Sequence, residues 1–372
     1  RSHCRTKTSS SLAAVAEVMT KRELIVLFPF LVSDKEQGLS DPDEDVRSQM
    51  QQAGLKMLEV HGQDSMELLH PMLQNQLNKP DTGTWQNDLL KEGTVILLDT
   101  LAKFLPKGDP KVKEVLDRLF YALGTPSESV QRSASTAMSP LVPMLDNPEQ
   151  VKVMIADMMH MLLEGETYGD RRGAAFGLAG LVKGLGISAL KAHDVMPTLQ
   201  AAAGDKKQAH RRQGALFGFE CLSERLGRLF EPYVIHILPI LLTSCSDADD
   251  GVREAGEAAS KSVMAQLSGQ GVKLVMPALL QGVEDSAWKT KKAAIDLLGS
   301  MAYCAPRQLG TCLPTIVPVM AEAVSDSKAQ VRDAAKTALN QVGSVIKNPE
   351  ILAIAKVIIN SLSDPDLTAK AL

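Results

Sequence analysis

A phrase of about forty residues recurs along this 372-residue chain and limits its possible folds more than any other feature. Each copy has an Asp, a short polar stretch, a basic residue and then small residues, as at 247–253, 285–291 and 326–332. Taken as markers, the basic residues stand at positions 47, 91, 132, 171, 212, 253, 291, 332 and 370. Their successive spacings are 44, 41, 39, 41, 41, 38, 41 and 38 residues, and position 91 is the least secure marker.

A period near forty with two helical stretches per copy is typical of HEAT or armadillo repeats and excludes the shorter tetratricopeptide and ankyrin periods. One such helix pair cannot bury its apolar stripe alone, so neighbouring pairs must stack. We therefore predict an all-α, right-handed superhelical solenoid of about nine antiparallel helix pairs. Residues 1–40 are expected to form an incomplete first repeat with a flexible start. Residues 41–372 are expected to form one continuous array, cut from a longer array at both ends.

The positions of recurring prolines and glycines support the stacked arrangement. Pro239, Pro277 and Pro318 each precede the basic marker of their repeat by fourteen residues and lie in apolar stretches. A proline there removes one helical hydrogen bond, so we expect the first helix of each pair to bend. The second helices carry glycines where neighbouring helices must approach closely, namely Gly177, Gly180, Gly184 and Gly218.

Composition and charge restrict the location and the partners of the chain. A formal net charge of -4 argues against a protein that coats nucleic acid along its whole length, so any contact with a polyanion must be local. The five cysteines are scattered and contain no CxxC pair, which favours reduced thiols in the cytoplasm: Cys4, Cys221, Cys245, Cys304 and Cys312. No apolar run approaches the roughly 18 residues of a membrane span, and we therefore expect no membrane contact.

The sequence lacks the motifs that would indicate an enzyme. It contains no GxxxxGK[ST] phosphate loop, no HExxH and no GxSxG. The glycine-rich stretch at 177–184 lies within a helical repeat and does not follow a strand. The seven histidines show no ligand spacing, and the acidic run at 247–250 lacks the other ligands of a calcium loop. We therefore predict no catalysis, no metal, no cofactor and no small-molecule substrate.

Basic residues cluster in the middle and late repeats. The candidates for binding structured RNA or another polyanion are Arg171, Arg172, Lys206, Lys207, His210, Arg211, Arg212, Lys289, Lys291 and Lys292. Because they recur at one phase of the repeat, stacking would place them along one edge, near the amino ends of the second helices. Such an edge suits the phosphates of structured RNA or an acidic protein, although a solvated face remains the alternative for any one residue. Trp288 is a candidate partner anchor, or a packing residue.

The recurring Asp and Arg residues also have a structural interpretation. Asp at the turn can cap the second helix, and the basic residue can reach the Asp of the next repeat, so that a ladder of ion pairs follows the stack. We assign Asp247, Arg253, Asp326 and Arg332 to this structural ladder.

Six longer stretches carry a resemblance to a known family. They lie at 170–186, 214–220, 229–234, 271–277, 298–306 and 346–354. The stretch beginning at Asp170 reads DRRGAAFGLAGLVKGLG. Together they resemble the central, elongation-factor-three-like HEAT segment of the very large translational activator of the general control pathway. The resemblance covers about residues 110–372, and 1–109 match more loosely. Trp85 begins an unusual turn sequence, and Lys356 stands where the other late repeats carry proline.

The resemblance implies a role in translation control. Members of this family act as ribosome-binding scaffolds that promote activation of a stress kinase on stalled or collided ribosomes during amino-acid starvation. The implied partners are the ribosome, through ribosomal RNA or stalk proteins, and an ABC-F ATPase; the kinase is bound by other parts of the parent protein. The implied location is cytoplasmic. Two alternatives stay open: a protein-only HEAT adaptor of the transport-receptor or phosphatase-scaffold type, and the HEAT region of elongation factor three itself.

Overall fold

The computed structural model describes residues 11–35, 37–304 and 306–345, and within these residues every regular element is helical. The marker at position 370, the stretch at 346–354 and Lys356 lie outside the described residues. The chain divides into two compact units, with unit 1 ending at Val195 and unit 2 beginning at Met196.

Unit 1 contains four helix pairs followed by one short helix. The helices are α1 Lys21–Leu31, α2 Glu44–His61, α3 Met66–Leu77, α4 Trp85–Ala102, α5 Pro110–Leu123, α6 Glu128–Leu141, α7 Pro148–Glu164, α8 Tyr168–Leu185 and α9 Ala189–Ala192. Within each pair the first helix packs on the second, and the second helices α2, α4, α6 and α8 pack in sequence on one another. Unit 1 therefore has two layers, with the second helices forming one continuous layer.

Unit 2 repeats this arrangement. Its helices are α10 Val195–Ala203, which begins at the last residue of unit 1, α11 Ala209–Leu226, α12 Glu231–Ser244, α13 Asp250–Ala265, α14 Gly269–Val283, α15 Trp288–Cys304, α16 Pro306–Ala323 and α17 Ala329–Val345. The second helices α11, α13, α15 and α17 pack in sequence, and the first helices α12, α14 and α16 form the other layer. The described residues thus hold eight helix pairs, which confirms the prediction of a HEAT-type solenoid fold.

Helix starts follow from local hydrogen bonds. Thr167 caps α8 by accepting a hydrogen bond from the amide of Asp170 at 3.1 Å, and the Asp170 carboxylate accepts from the Thr167 amide at 3.3 Å. Asn147 caps α7, where Pro148 occupies the first helical position and gives up no hydrogen bond. These caps satisfy amides that a helix cannot satisfy itself, and so they fix where α7 and α8 start.

The glycines of α8 allow two second helices to approach closely. A Cβ atom at Gly180 would lie 2.6 Å from the carbonyl oxygen of Ser135 in α6, which is closer than real Cβ atoms come. The Ser139 hydroxyl also donates to the Gly180 carbonyl at 3.1 Å. This confirms the predicted close approach at Gly180, and α8 is buried continuously from Arg171 to Val182 as a result.

The predicted prolines lie inside first helices. Pro239 is in α12, Pro277 in α14 and Pro318 in α16, and Pro71 occupies a similar place in α3. The Thr243 hydroxyl donates to the Pro239 carbonyl at 2.8 Å, which gives that carbonyl a partner near the end of the helix. The first helices therefore carry the recurrent prolines, while the second helices of unit 2 carry none in their described residues.

The apolar content of residues 209–244 corrects one expectation from the sequence. This stretch is apolar enough by length and composition to cross a membrane, with a mean hydropathy of 1.3 over its best window, so an apolar run of that kind does exist. In the structure it comprises α11, a 3-10 turn over Gly227–Phe230 and α12. Both helices pack on α13, and Phe217, Phe219 and Leu238 are buried. Packing within unit 2 accounts for this hydropathy.

Candidate nucleic-acid interface

The turns before α11, α13 and α17 of unit 2 share an arrangement, which we call the turn clamp. In it, an Asp side chain accepts a hydrogen bond from the amide two residues ahead, and a basic side chain six or seven residues ahead donates to the Asp carbonyl. Asp247 Oδ1 accepts from the Asp249 amide at 2.9 Å, and Arg253 Nη1 donates to the Asp247 carbonyl at 2.7 Å. Asp326 and Arg332 do the same, with the guanidinium at 2.8 Å from the carbonyl. The turn clamp fixes the angle at which the second helix leaves the first.

The cap of α13 is Asp249 and not Asp247, which corrects the expectation that the marker Asp caps the helix. Asp249 Oδ1 accepts from the Val252 amide at 3.0 Å, whereas Asp247 holds the turn that precedes the cap. A side chain two residues before the cap can reach only the amide of the cap itself. The other oxygen of Asp247, Oδ2, faces the preceding helix pair, where it accepts a hydrogen bond from Arg212.

Two ion pairs connect successive helix pairs through the carboxylates of these turn Asp residues. Arg212 donates from Nε to Asp247 Oδ2 and from Nη2 to Asp247 Oδ1, both at 2.8 Å. Lys291 Nζ lies 3.2 Å from Asp326 Oδ2. Burial alone would raise the pKa of Asp247, but the hydrogen bonds from Arg212 and from the Asp249 amide outweigh it and the pKa is lowered. Arg212 and Lys291 are therefore occupied in holding neighbouring pairs together.

Arg171 and Arg172 in unit 1 are buried. Arg171 Nη1 donates to the carbonyl of Gly165 at 2.7 Å, which reproduces the carbonyl contact of the turn clamp at a turn without the Asp side chain. Arg172 Nη2 lies 3.2 Å from Glu128 Oε1, and its guanidinium sits 5.2 Å from the centroid of the Phe176 ring. Both side chains make structural contacts within unit 1.

Two sequence markers are not the structural equivalents of the others. Counted from the helix caps, the clamp position falls on Gln131 and not on Arg132, and on Asp88 and not on Lys91. Gln131 Nε2 donates to the Thr125 carbonyl at 2.7 Å, just as an arginine does elsewhere. A search for any long side chain with a hydrogen-bond donor at this position could have identified Gln131, since the contact with the carbonyl needs no charge.

Asp88 reverses the usual charge at the clamp position. Burial, followed by the neighbouring charge of Asp81, raises the pKa of Asp88. One Asp88 carboxylate oxygen is buried with no hydrogen-bond partner among the described residues. Lys91, one turn further along α4, lies buried 3.6 Å from Asp81 Oδ2. The second helix pair is thus the least regular joint in unit 1.

The lysines at 206 and 207 are more accessible than the clamp residues. Lys206 and Lys207 are exposed at the turn before α11, and no ion pair is found for either among the described residues. Arg211 Nη1 lies 3.2 Å from Asp205 Oδ2, and His210 is half-buried beside it. This turn therefore presents two free cations to solvent.

A second basic surface in unit 2 surrounds Trp288 and forms a cleft of about 270 Å³, which we call the Trp288 cleft. Its charged lining residues are Arg253, Glu257, Lys261, Lys289, Lys292 and Asp296. Lys289 Nζ lies 5.9 Å from the Trp288 ring centroid, and Lys292 Nζ is 2.7 Å from Asp296 Oδ2. With four cations against two carboxylates, the cleft carries a net positive charge beside an aromatic face.

The buried wall of the Trp288 cleft includes Cys245. Burial raises the pKa of the Cys245 thiol to about 11, and its Sγ donates to the Leu241 carbonyl at 3.4 Å. Cys221 is buried as well. Since a thiol is reactive only as the thiolate, Cys245 contributes packing and no nucleophile.

The structure separates the candidate cations into three places. Arg171 and Arg172 belong to unit 1. In unit 2, one group lies at 206–212 and another at 289–292, and the intervening pair presents Asp249 and Asp250 at its turn. Within unit 2 the turn edge is therefore basic, acidic and basic again in succession. Among the described residues, no group of three His, Cys, Asp or Glu side chains could hold a metal ion.

Comparison with known protein families identifies two matches. Residues 171–339 match the model of the EF3 N-terminal HEAT repeat, and residues 3–103 match the model of the HEAT repeats of the stalled ribosome sensor GCN1.

Comparison with individual proteins extends this similarity along nearly the whole chain. Protein ILITYHIA of Arabidopsis thaliana is 47% identical over 96% of the chain, and the human stalled ribosome sensor GCN1 is 46% identical over 95%. The eIF-2-alpha kinase activator GCN1 of Saccharomyces cerevisiae is 38% identical over 96%. The chain spans 13% of the length of each of these relatives.

Solved structures show the fold of the chain. Kap121p, in its crystal structure bound to Ste12p, superposes with a TM-score of 0.55 over 96% of this chain and 38% of its own. Kap95p in its complex with RanGDP gives a TM-score of 0.53 over 96% of this chain and 46% of its own. Sequence identity is 12% and 13%, so these likenesses concern the fold alone.

Proposed function

The chain belongs to the GCN1 family of stalled-ribosome sensors and eIF-2α kinase activators, and from that premise we propose that it is a non-catalytic, cytoplasmic, ribosome-binding scaffold segment. The observation that carries the proposal is the 46% identity with the human stalled ribosome sensor over 95% of the chain. The similarity to elongation factor 3 of Gonapodya prolifera is weaker, at 28% identity over 63% of the chain. A HEAT segment of a ribosome sensor thus fits the chain better than a segment of elongation factor 3.

The surfaces that we assign to RNA are the turn at Lys206 and Lys207 and the Trp288 cleft, both in unit 2. When exposed lysines neutralise phosphates, the counterions condensed on the nucleic acid are released. This release is the main source of affinity for a polyanion. The Trp288 cleft adds an aromatic face, on which an unpaired base can stack while Lys289 and Lys261 meet its phosphates. Arg212 and Lys291, which bind Asp247 and Asp326, contribute to the fold and only indirectly to binding.

The remaining partners belong to the same proposal. Stalk proteins and an ABC-F ATPase are partners that a scaffold of this kind can hold on surfaces other than the basic ones. Kinase activation during amino-acid starvation would pass through other parts of the longer protein, since the chain spans 13% of its relatives. Within this scheme the segment supplies position and contact area, and it carries out no chemical step.

The experiment is cosedimentation of the chain with purified ribosomes over a series of salt concentrations. We compare the wild type with K206E/K207E/K289E, in which three accessible cations are reversed and every turn clamp is left intact. Each lost phosphate contact lowers the slope of log affinity against log salt by about one. The triple variant should therefore lose about two to three units of slope and bind at least tenfold more weakly at moderate salt.

The matched control is K107E/K191E/K273E, which reverses three exposed lysines elsewhere on the chain. If both triple variants lost ribosome binding equally, the loss would follow from the change in net charge alone. That result would overturn the assignment of the binding site. Absence of the wild type from the ribosomal fraction at low salt would overturn ribosome binding by this segment. Salt-tolerant binding of one protein without RNA would favour the protein-only adaptor.

A further inference from the structure

The first helices α5 and α7 of unit 1 do not pack on each other, whereas several other successive first helices do. In unit 2, α12 packs on α14 and α14 on α16, and in unit 1 α3 packs on α5, whereas the backbones of α5 and α7 hardly approach each other. The connection from α6 to α7 forms a 3-10 turn over Val142–Met144, and the Met144 carbonyl accepts a hydrogen bond from the Gly108 amide at 2.9 Å. This turn lies against the loop before α5, and an open groove follows along the two helices.

The groove has a volume of about 660 Å³ and an apolar floor. Phe120 of α5 and Met154 and Met158 of α7 line the floor, and Val153 and Met161 form the wall. Val153 is 56% exposed and Met161 is 37% exposed, so the wall presents apolar surface to solvent. Methionine side chains are unbranched and adjust to the shape of an incoming side chain, which suits a binding surface.

The rim of the groove is acidic. Glu149 and Asp157 of α7 are exposed, and neither forms an ion pair with any residue in the described part of the chain. On the α5 side, Asp117 is paired with Lys113 at 2.6 Å, so that pair adds no net charge. His160 completes this part of the rim. The groove therefore carries uncompensated negative charge, which repels phosphate and attracts a cationic partner.

We propose that this groove binds one basic amphipathic helix of a protein partner. The lining residues of α7 recur at three- and four-residue spacing, Gln150, Val153, Asp157 and Met161, so apolar and acidic groups form a track parallel to the helix axis. A partner helix with an apolar face and flanking lysines or arginines meets the floor and the rim at the same time, as in other helix-in-groove complexes. The proposal is independent of ribosome binding, because the groove lies in unit 1 and excludes RNA by charge.

The first test uses a designed peptide as the probe. A Leu/Lys peptide about 18 residues long, amphipathic as a helix and carrying one benzophenone side chain, is titrated against the full chain and then photocrosslinked. We expect crosslinks in α7 around Met158 and Met161. A scrambled peptide of equal composition and a Leu/Glu peptide of equal amphipathicity should bind at least tenfold more weakly. Crosslinks scattered over the surface, or equal binding of the scrambled peptide, would overturn the proposal.

The second test uses matched variants of the chain. V153D places a charge in the apolar wall, and D157K reverses a charge on the rim. Their controls are V60D, at another exposed valine, and E59K, both on α2 and away from the groove. We expect about tenfold weaker peptide binding for V153D and for D157K, and less than a twofold change for the controls, with unchanged helical content in all four. Equal effects of variants and controls contradict the groove. A concentration-dependent dimer of the chain that V153D abolishes would identify a second copy as the occupant and would also overturn the proposal.

Discussion

Replacing Arg212 with Ala removes three hydrogen bonds at one inter-repeat joint. The guanidinium makes two bonds to the Asp247 carboxylate at 2.8 Å and one to the Asp205 carbonyl at 2.9 Å. The Arg212 and Asp247 side chains are only 17% and 15% exposed, so the carboxylate left behind stays largely out of water. The substitution therefore leaves a mostly buried charge without its partner.

The stability that R212A is expected to lose lies between two known limits. Breaking a fully buried ion pair costs about 3–5 kcal/mol, and breaking an exposed pair costs about 0–1 kcal/mol. Because this pair is mostly buried and bidentate, we expect R212A to destabilise the joint by about 2–3 kcal/mol. K56A is the control, since it breaks the exposed pair of Lys56 with Glu17, and it should cost less than about 0.5 kcal/mol.

The stability lost in R212A should decrease as the pH falls. The pKa of Asp247 is lowered in the folded protein, so its contribution to stability is present above the ordinary Asp pKa of about 4 and is lost as the pH falls through the folded value. The difference in melting temperature between R212A and the wild type should accordingly shrink when the pH falls from 7 to below about 4. A difference that stays constant over this range would contradict the role of the carboxylate.

Hydrogen exchange measured by mass spectrometry is the direct assay, because stacked repeats do not always unfold in one step. A loss of 2–3 kcal/mol corresponds to about 30- to 150-fold faster exchange in the peptides that cover α11 and α13. R212A/D247A should recover part of the protection, since it also removes the unpaired charge. An increase below about threefold, or one spread evenly over unit 1 and unit 2, would refute the reasoning.

Three further substitutions or treatments test other parts of the structure. G180A should destabilise unit 1 by about 1–3 kcal/mol, because its Cβ would meet the Ser135 carbonyl, whereas G310A, with open space around its Cβ, should be neutral or stabilising in thermal unfolding. D88N should raise the melting temperature at pH 7, since the pKa of Asp88 is raised and its charged form is penalised in the fold; the gain should vanish below about pH 4, where the wild-type carboxyl is protonated. The Cys245 thiol, with its pKa of about 11, should resist alkylation by iodoacetamide at pH 7.5 in the native chain and react in urea, and rapid native labelling would contradict its burial.

The repeat architecture could be predicted from the sequence because the turn clamp imposes a fixed spacing. At most of the turns between a first and a second helix, a long side chain donates to a carbonyl six or seven residues earlier, and in unit 2 the residue with that carbonyl is an Asp, so the period can be recognised from residue types. The assignment failed locally at Lys91 and Arg132, where basic residues stand near the clamp position without occupying it. Position relative to the helix cap decides the contact, and a search for positive charge overlooked the Gln131 amide.

The accessibility of the candidate cations was not predictable in the same way. Arg172 and Lys207 look alike in the sequence, as basic residues near the start of a second helix. Arg172 is buried because Phe176 of its own helix and Glu128 of the preceding pair surround it, while Lys207 protrudes from its turn. Burial depends on side chains some forty residues away, which no local pattern records. The groove between α5 and α7 depends in the same way on a backbone separation that periodicity does not reveal.

In the turn clamp, the contact that holds the two helices together does not depend on the charge that a binding partner would recognise. The joint requires only that some side chain of sufficient length donates to a carbonyl, and Gln131 meets this requirement without any charge. Arginine and glutamine can therefore be exchanged with little effect on how the helices meet wherever the clamp side chain makes no ion pair with the next helix pair. Such exchanges would change the distribution of charge along the turn edge and therefore the partners that it attracts. The packing of the helices would stay the same.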